Sequence, residues 1–304
     1  MEVIPIAPRG FCKGVYQAIR LAKQTAKENP NVKVTVLGQI VHNRYVVEAL
    51  NKYDIQTLDD PKFSRFELLS QIDDGIVIFT AHGISKIVRE EAARRNLIIK
   101  DATCEDVLST QALIESARLA NQTIFYIGKF GHPESNAIME SFQQVYLIEK
   151  IEDIPSLPGQ PEIFVTNQTT ISKNDIEHII DAIIKQYPQA LIAREICAAT
   201  RLRQEAVEKI KLADSLVVVG DPASNNTRML AKIAAEHGIR HVVLIESIEQ
   251  LDTTILSSDM RVAVTAGAST PQKLTQQVID YLKSYDFEHP AELPRVDIDT
   301  LLDE

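Results

Sequence analysis

With 304 residues, 45% of them apolar and 24% charged, the chain has the composition of a globular protein large enough for two or three domains. Its 42 acidic and 32 basic side chains leave a net charge of −10, and it contains no Trp. That balance excludes nucleic acid as a partner, because such binding rests on phosphate neutralisation and base stacking. No apolar run approaches the ~20 residues needed to span a bilayer. The N-terminus MEVIPIAPRG lacks the charged-then-apolar order of a secretory signal, so the expected location is cytoplasmic, with no membrane partner.

Taken in order, residues 3–7 read as a short strand running into PRGFC, where Gly10 and Gly14 permit a tight turn around Cys12. Val15, Ile19, Ala22 and Ala26 recur at helical spacing over 15–28. VKVTVLG reads as a buried strand, and Asn43 in the next loop is placed to cap a helix over RYVVEALNKY. A strand at 75–79 leads to His82, Gly83 and Ser85. A helix over KIVREEAARRN starts at Ser85 or a neighbour, and LIIKDATC returns to a cysteine. The order then repeats: helix 105–120, strand 123–127, loop 128–134, helix 135–144, strand 145–148, the Pro-rich connector IPSLPGQP, strand 162–166, loop 167–172, helix 173–186 and ALIAREIC. It repeats again through helix 200–213, strand 215–219, loop 220–227, helix 228–237, strands 241–245 and 261–265, loop 266–270 and helix 271–285. The acidic tail 286–304 reads as either a flexible arm or a packed strap.

The repeat is keyed to the only three cysteines, Cys12, Cys104 and Cys197, which stand 92 and 93 residues apart. After each cysteine come a helix, an apolar run ending in Gly38, Gly128 or Gly220, and a polar loop: GQIVHN, GKFGHPE or GDPASNN. A second apolar run ends in FTAHGIS, VTNQTTIS or VTAGAST. The expected fold is α/β, with three pseudo-threefold-related units of mainly parallel sheet in a trefoil around a central site. The expected units are 13–103, 104–196 and 197–285, the last completed by the N-terminal strand in 1–12. Ligands bind such sheets at strand carboxyl ends beside helix N-termini, which is where all six polar loops fall.

An odd number of cysteines forms no closed disulfide set, in keeping with a reducing compartment. Three thiols in register suggest metal ligation, by an iron–sulfur cluster or by zinc. Zinc in a structural site wants a fourth protein ligand, whereas three thiolates on a four-iron cluster leave one iron open to substrate. His42, His82 and His132, with Ser224, Asn225, Asn226 and Ser269, supply hydrogen-bond donors suited to a polyanion such as a diphosphate. The chain has no Walker loop and no G-x-G-x-x-G. Glu134 is the candidate proton donor, and Thr169 or Thr170 stands ready to hold its proton or a water, although both threonines and Ser172 also suit helix capping.

PRGFCKGV, VHN, TAHGIS, DATC, GHPE, QTTIS, EIC, RQEAV and TAGAS together resemble the IspH/LytB family of 4-hydroxy-3-methylbut-2-enyl diphosphate reductases, in order and spacing over residues 4–285. The resemblance implies a [4Fe–4S] cluster on Cys12, Cys104 and Cys197, and a diphosphate held by His42, His82, His132, Ser224, Asn226 and Ser269. It further implies proton delivery by Glu134 beside Thr169, and electrons from ferredoxin or flavodoxin. The reaction implied is reductive dehydroxylation of the allylic diphosphate to isopentenyl and dimethylallyl diphosphate, ending the non-mevalonate route to isoprenoids. The chain departs from the family pattern at Glu105, Ala198 and Asn225, beside the cysteines and ligand loops. These departures motivate two alternatives: a paralogue of the same fold acting on another small anionic alcohol, or a non-catalytic metal- or anion-binding protein. An acidic electron donor requires a local basic patch, for which Arg94-Arg95 or Arg201/Arg203 are the candidates.

Overall fold

A computed structural model describes residues 1–159 and 161–303; Gln160, in the Pro-rich connector, and Glu304, at the end of the tail, lie outside the described residues. In chain order the elements are β1 (Glu2–Pro5), α1 (Lys13–Glu28), β2 (Val34–Leu37), α2 (Arg44–Asn51), β3 (Ile55–Leu58), α3 (Arg65–Leu69), β4 (Ile76–Phe79), α4 (Lys86–Arg94) and β5 (Ile98–Asp101). They continue with α5 (Glu105–Leu119), β6 (Thr123–Ile127), α6 (Pro133–Ser141), β7 (Val145–Ile148), β8 (Ile163–Asn167), α7 (Lys173–Gln186), β9 (Leu191–Ile192) and α8 (Ala198–Glu208). The last are β10 (Ser215–Val219), α9 (Asn225–Glu236), β11 (His241–Ile245), β12 (Arg261–Ala266) and α10 (Gln272–Lys283).

The strands form three four-stranded, wholly parallel sheets, ordered β3-β2-β4-β5, β7-β6-β8-β9 and β11-β10-β12-β1. The order is the same each time, as the threefold α/β reading expects. The first and third strands of each repeat are central, the second lies on one edge, and the strand leading to a cysteine lies on the other. In the third sheet that edge strand is β1, paired in parallel with β12 from Glu2↔Arg261 to Pro5↔Val264. The start of the chain thus completes its last sheet.

The central strands read as unbroken apolar runs (VTVL, IVIF, SLVVV) because helices cover both faces of a parallel sheet, so alternation is not required. Fully buried Phe79 and Leu37, Phe125 and Ile127, and Leu216 and Val218 lie in the cores beneath the three sheets. By contact density the chain forms two compact units. One holds Met1–Tyr16, Val41–Tyr53 and the chain from Ala198 onward, and contains the sheet of β11, β10, β12 and β1. The other holds Gln17–Ile40 and Asp54–Cys197, and contains the other two sheets.

Several boundaries differ from the sequence expectations for local reasons. Helix α6 begins at Pro133, not at 135, since Pro suits the first helical position and His132 caps it; Glu134 is therefore helical. Helix α9 begins at Asn225, not at 228, because Ser224 accepts the Thr227 N–H and closes the helix start earlier. Helix α8 runs 198–208 where 200–213 was expected. Strand β3 and helix α3 were not expected, although Ser64-Arg65-Phe66-Glu67 is a legible capping box, formed with both reciprocal bonds. Asn43 caps α2 through the Val46 N–H, as expected. The tail packs as a strap on its own unit: Leu301 and Leu302 are buried, and Val296 N–H bonds Glu249.

Candidate active site

Each cysteine sits where an edge strand gives way to a helix: Cys12 between β1 and α1, Cys104 at the cap of α5, and Cys197 immediately before α8. One backbone bond fixes all three in the same way. Cys12 N–H donates to the Ala268 carbonyl at 3.0 Å, Cys104 N–H to Ala81 at 3.1 Å, and Cys197 N–H to Thr169 at 3.1 Å. The acceptors lie in the TAGAST, TAHGIS and NQTTIS loops, so each cysteine's backbone is held against the second signature of the repeat before it, Cys12 against that of the last. All three are half-buried thiols with no disulfide between them. Among the described residues, no three His, Cys, Asp or Glu side chains are gathered around a single-ion position. Thiolates are the donors that iron–sulfur clusters take.

Glu134 is 2% exposed, and three donors converge on its carboxyl group. Thr169 N–H reaches Oε1 at 2.9 Å, Thr169 Oγ1 reaches Oε2 at 2.9 Å, and the Tyr126 hydroxyl reaches Oε1 at 3.3 Å. Burial pushes the carboxyl from its usual 4.5 up to about 7; these hydrogen bonds pull it down and the Asp106 carboxylate adds to the rise. Tyr126 remains a neutral donor, since its own burial and the Glu134 charge push the phenol well above its ordinary value. Thr169 does two jobs at once. Its N–H and hydroxyl hold the acid, and its carbonyl receives the Cys197 N–H. Of the capping alternatives it is Ser172 that caps α7, accepting the Asp175 N–H at 3.3 Å, which leaves Thr169 to the acid.

Removing the Thr169 hydroxyl takes away a bond made to the charged form. Thr169→Val is therefore expected to move the upper limb of the activity–pH profile upward by about one pH unit. An unmoved limb in a correctly folded variant rules out the hydroxyl as a determinant of the acid's protonation.

Around the acid, His132 Nδ1 accepts the Glu134 N–H at 3.2 Å, which fixes its ring proton on Nε2. The His82 ring stands edge-on to His132, centroids 5.7 Å apart, so the two imidazoles border the same space as Glu134. Gln168, fully buried, accepts the Lys129 N–H at 3.0 Å and ties the His132 loop to the Thr169 loop. In the other compact unit, Ser269 donates to the His42 carbonyl at 2.9 Å, and Ser224 opens α9. Asn225 Oδ1 receives a long 3.5 Å bond from Arg228. Asn226 is 3% exposed, and neither its amide nitrogen nor its amide oxygen has a partner among the described residues. A buried amide N–H left unsatisfied is costly, and an anionic ligand is a partner that can accept from it. Asp221 joins two of these loops, accepting Ala223 N–H at 2.7 Å and Arg44 N–H at 3.3 Å.

Sequence reasoning did not single out Tyr126, Gln168 or Asp221. Tyr126 looks like any aromatic in a buried strand. Its one local signal is Gly128, where a Cβ would meet the Tyr126 ring at 2.7 Å and Ser135 Oγ at 2.8 Å.

Parallel sheets whose edge strands each lead to a thiol, together with a buried acid that burial raises to about 7, are the features of an α/β oxidoreductase. The LytB protein family matches residues 3–283, and this chain belongs to that family. It is 44% identical over 295 residues to the 4-hydroxy-3-methylbut-2-enyl diphosphate reductase of Anoxybacillus flavithermus, covering 95% of this chain and 93% of that one. The reductase of the same name from Symbiobacterium thermophilum is also 44% identical, over 95% and 99% of the two chains. Among solved structures, the E-1-hydroxy-2-methyl-but-2-enyl-4-diphosphate reductase from Plasmodium falciparum superposes with a TM-score of 0.88 at 29% identity, covering 99% of this chain and 96% of that one.

Proposed function

We propose that this chain is an iron–sulfur oxidoreductase converting 4-hydroxy-3-methylbut-2-enyl diphosphate to isopentenyl and dimethylallyl diphosphate. Family membership and the relatives' shared name support that substrate. The observation that carries the chemistry is Glu134, an acid poised near pH 7 and joined through Thr169 to the backbone of Cys197. Cys12, Cys104 and Cys197 would hold a [4Fe–4S] cluster, which when bound supplies electrons singly and a Lewis-acidic iron. The overall change takes up two electrons and two protons, breaks one C–O bond and releases water.

The protein's own groups handle the charge and the protons. Glu134, protonated below about pH 7, gives a proton to the departing hydroxyl, and Thr169 and Tyr126 stabilise the carboxylate that results. Because the Thr169 hydroxyl rotates, it donates to the carboxylate and accepts from the acid without moving the backbone. His42, His82, His132, Ser224, Asn225, Asn226 and Ser269 take the diphosphate, helped by the N-terminal dipoles of α6 and α9. Ferredoxin or flavodoxin delivers the electrons. Three thiols held out of disulfides fit a reducing compartment, and we place the reaction in the cytoplasm. Among the described residues, no helix is long and apolar enough to cross a membrane.

The test is anaerobic: iron and sulfide content, then turnover of the allylic diphosphate with dithionite-reduced methyl viologen. Formation of both five-carbon diphosphates is expected. An intact cluster that leaves this substrate untouched hands the site to another small anionic alcohol, and stoichiometric zinc removes the redox reading. For the clamp, Asn226→Ala is expected to weaken binding of inorganic diphosphate by about tenfold to a hundredfold, read by calorimetry; unchanged affinity places the anion elsewhere.

A further inference from the structure

We propose that Asp221 is a positioning residue for the diphosphate clamp, holding the GDPASNN loop and the start of α2 in one fixed arrangement. This deepens the reading above and rests on its assignment of His42, Ser224, Asn226 and Ser269 to the anion. Asp221 and the two residues whose N–H groups its carboxylate accepts belong to one compact unit, which holds Val41–Tyr53 and the chain from Ala198 onward. Asp221 is buried, and each carboxylate oxygen has a separate task. Oδ1 accepts the Ala223 N–H at 2.7 Å, and the Asp221 carbonyl accepts the Ser224 N–H at 3.0 Å. These two bonds close the turn that delivers Ser224 to the start of α9. Arg228 grips the same turn from the helix, donating to the Pro222 carbonyl at 2.8 Å and the Ala223 carbonyl at 3.3 Å.

Oδ2 makes the long-range tie. It accepts the Arg44 N–H at 3.3 Å, across 177 residues of chain. Arg44 is the first residue of α2, and its N–H is one of the donors that a helix start leaves without an intrahelical partner. Asn43 caps the same helix through a different donor, the Val46 N–H. The Arg44 side chain takes other partners, Glu246 at 3.1 Å and the Tyr45 hydroxyl at 3.1 Å, so the backbone alone makes the tie. Two residues earlier, the His42 carbonyl accepts the Ser269 hydroxyl at 2.9 Å. The segment 42–44 is therefore tied at one end to the TAGAST loop and at the other to the GDPASNN loop.

The charge of Asp221 matters as well as its bonds. Helix α2 has no acid in its own first turn, so Asp221 supplies from another loop the negative group that a helix N-terminus favours. The anion-attracting end of α2 is thereby occupied. Helix α9 also lacks an acid in its first turn, and there the buried Asn226 amide has no partner among the described residues. An incoming anion is directed to the start of α9, while the same carboxylate keeps His42 in register with it.

The experiment uses anaerobically purified full-length protein. It measures binding of inorganic diphosphate by calorimetry, then KM and kcat for the allylic diphosphate with reduced methyl viologen. The wild type is compared with Asp221→Asn, Arg44→Ala, Arg44→Pro and Asp221→Asn/Arg44→Pro. Asn offers one acceptor oxygen in place of two, enough for the turn at Ala223 but not for the tie as well. Pro suits the first helical position and removes the Arg44 N–H, and Arg44→Ala corrects for the lost side chain. Asp221→Asn is expected to weaken diphosphate binding about tenfold and to raise KM in parallel, with kcat changed less than about threefold. Arg44→Pro should bind about tenfold more weakly than Arg44→Ala, and the double variant no more weakly than Arg44→Pro, since one bond cannot be broken twice. Unchanged or tighter binding by Asp221→Asn, whatever its melting temperature, overturns the positioning role and leaves the clamp standing. Equal binding by Arg44→Pro and Arg44→Ala does the same. A wild type that does not bind inorganic diphosphate overturns the clamp, and the positioning role with it.

Discussion

Glu134→Gln is expected to reduce turnover by about a hundredfold to ten-thousandfold, the range a positioned general acid supplies, while making the protein more stable above pH 7. Both effects follow from one geometry. The carboxyl is fully buried and titrates near 7 against an ordinary 4.5. A folded state with the higher value binds more protons than the unfolded chain across that interval, so stability falls as pH rises from about 4.5 to about 7. At pH 8 the ionised group costs about 3 kcal/mol relative to pH 4. Gln cannot ionise, yet it reproduces the acid's bonding: its oxygen accepts from Thr169 N–H and Tyr126, and its amide donates to the Thr169 hydroxyl, which rotates to accept. Melting curves should therefore coincide at pH 4.5, with the variant several degrees higher at pH 8. Equal melting temperatures at both pH values mean that Glu134 is not held with a raised pKa. Undiminished turnover removes it as the proton donor.

Cys104→Ser is expected to lose the iron and sulfide, the broad absorbance near ~400 nm and all reductive turnover, since two thiolates and an alcohol hold a cluster poorly. The fold should survive. Cys104 is only half-buried, and its N–H bond to Ala81 involves no side chain. The pH-dependent stability from Glu134 should also survive, because Thr169 and Tyr126 are untouched. That separation makes the result informative. Iron content equal to wild type in Cys104→Ser means that Cys104 is not a ligand, and a collapse of folding would give it a structural role the packing does not suggest.

Much of the site was legible because its signals are local. Strand-ending glycines, polar loops and cysteines at near-equal spacing can be read without knowing what touches what. Asn43, and Ser172 among its rivals, behave as caps for the same reason: the bond spans three residues. The boundary errors were also local. Pro133 and Ser224 start their helices earlier than apolar periodicity suggests, because capping chemistry overrides the hydrophobic pattern at an end. Strand β3 was missed because only Ile55 of its four residues is fully buried, so no apolar run or alternation announces it.

The sequence alone determined the α/β class, the threefold repeat, the thiol at the end of each repeat and Glu134 as the acid to watch. All of these reside in composition, periodicity and short-range spacing. Only the tertiary structure decided that Thr169 both holds the acid and anchors Cys197, and that Tyr126 is the acid's third donor. It alone decided that the acid titrates near 7. A pKa is set by desolvation and by charges brought close from elsewhere, here by Thr169, which lies 35 residues along the chain from Glu134. No local pattern encodes such a distance, and it exists only once the sheets have paired.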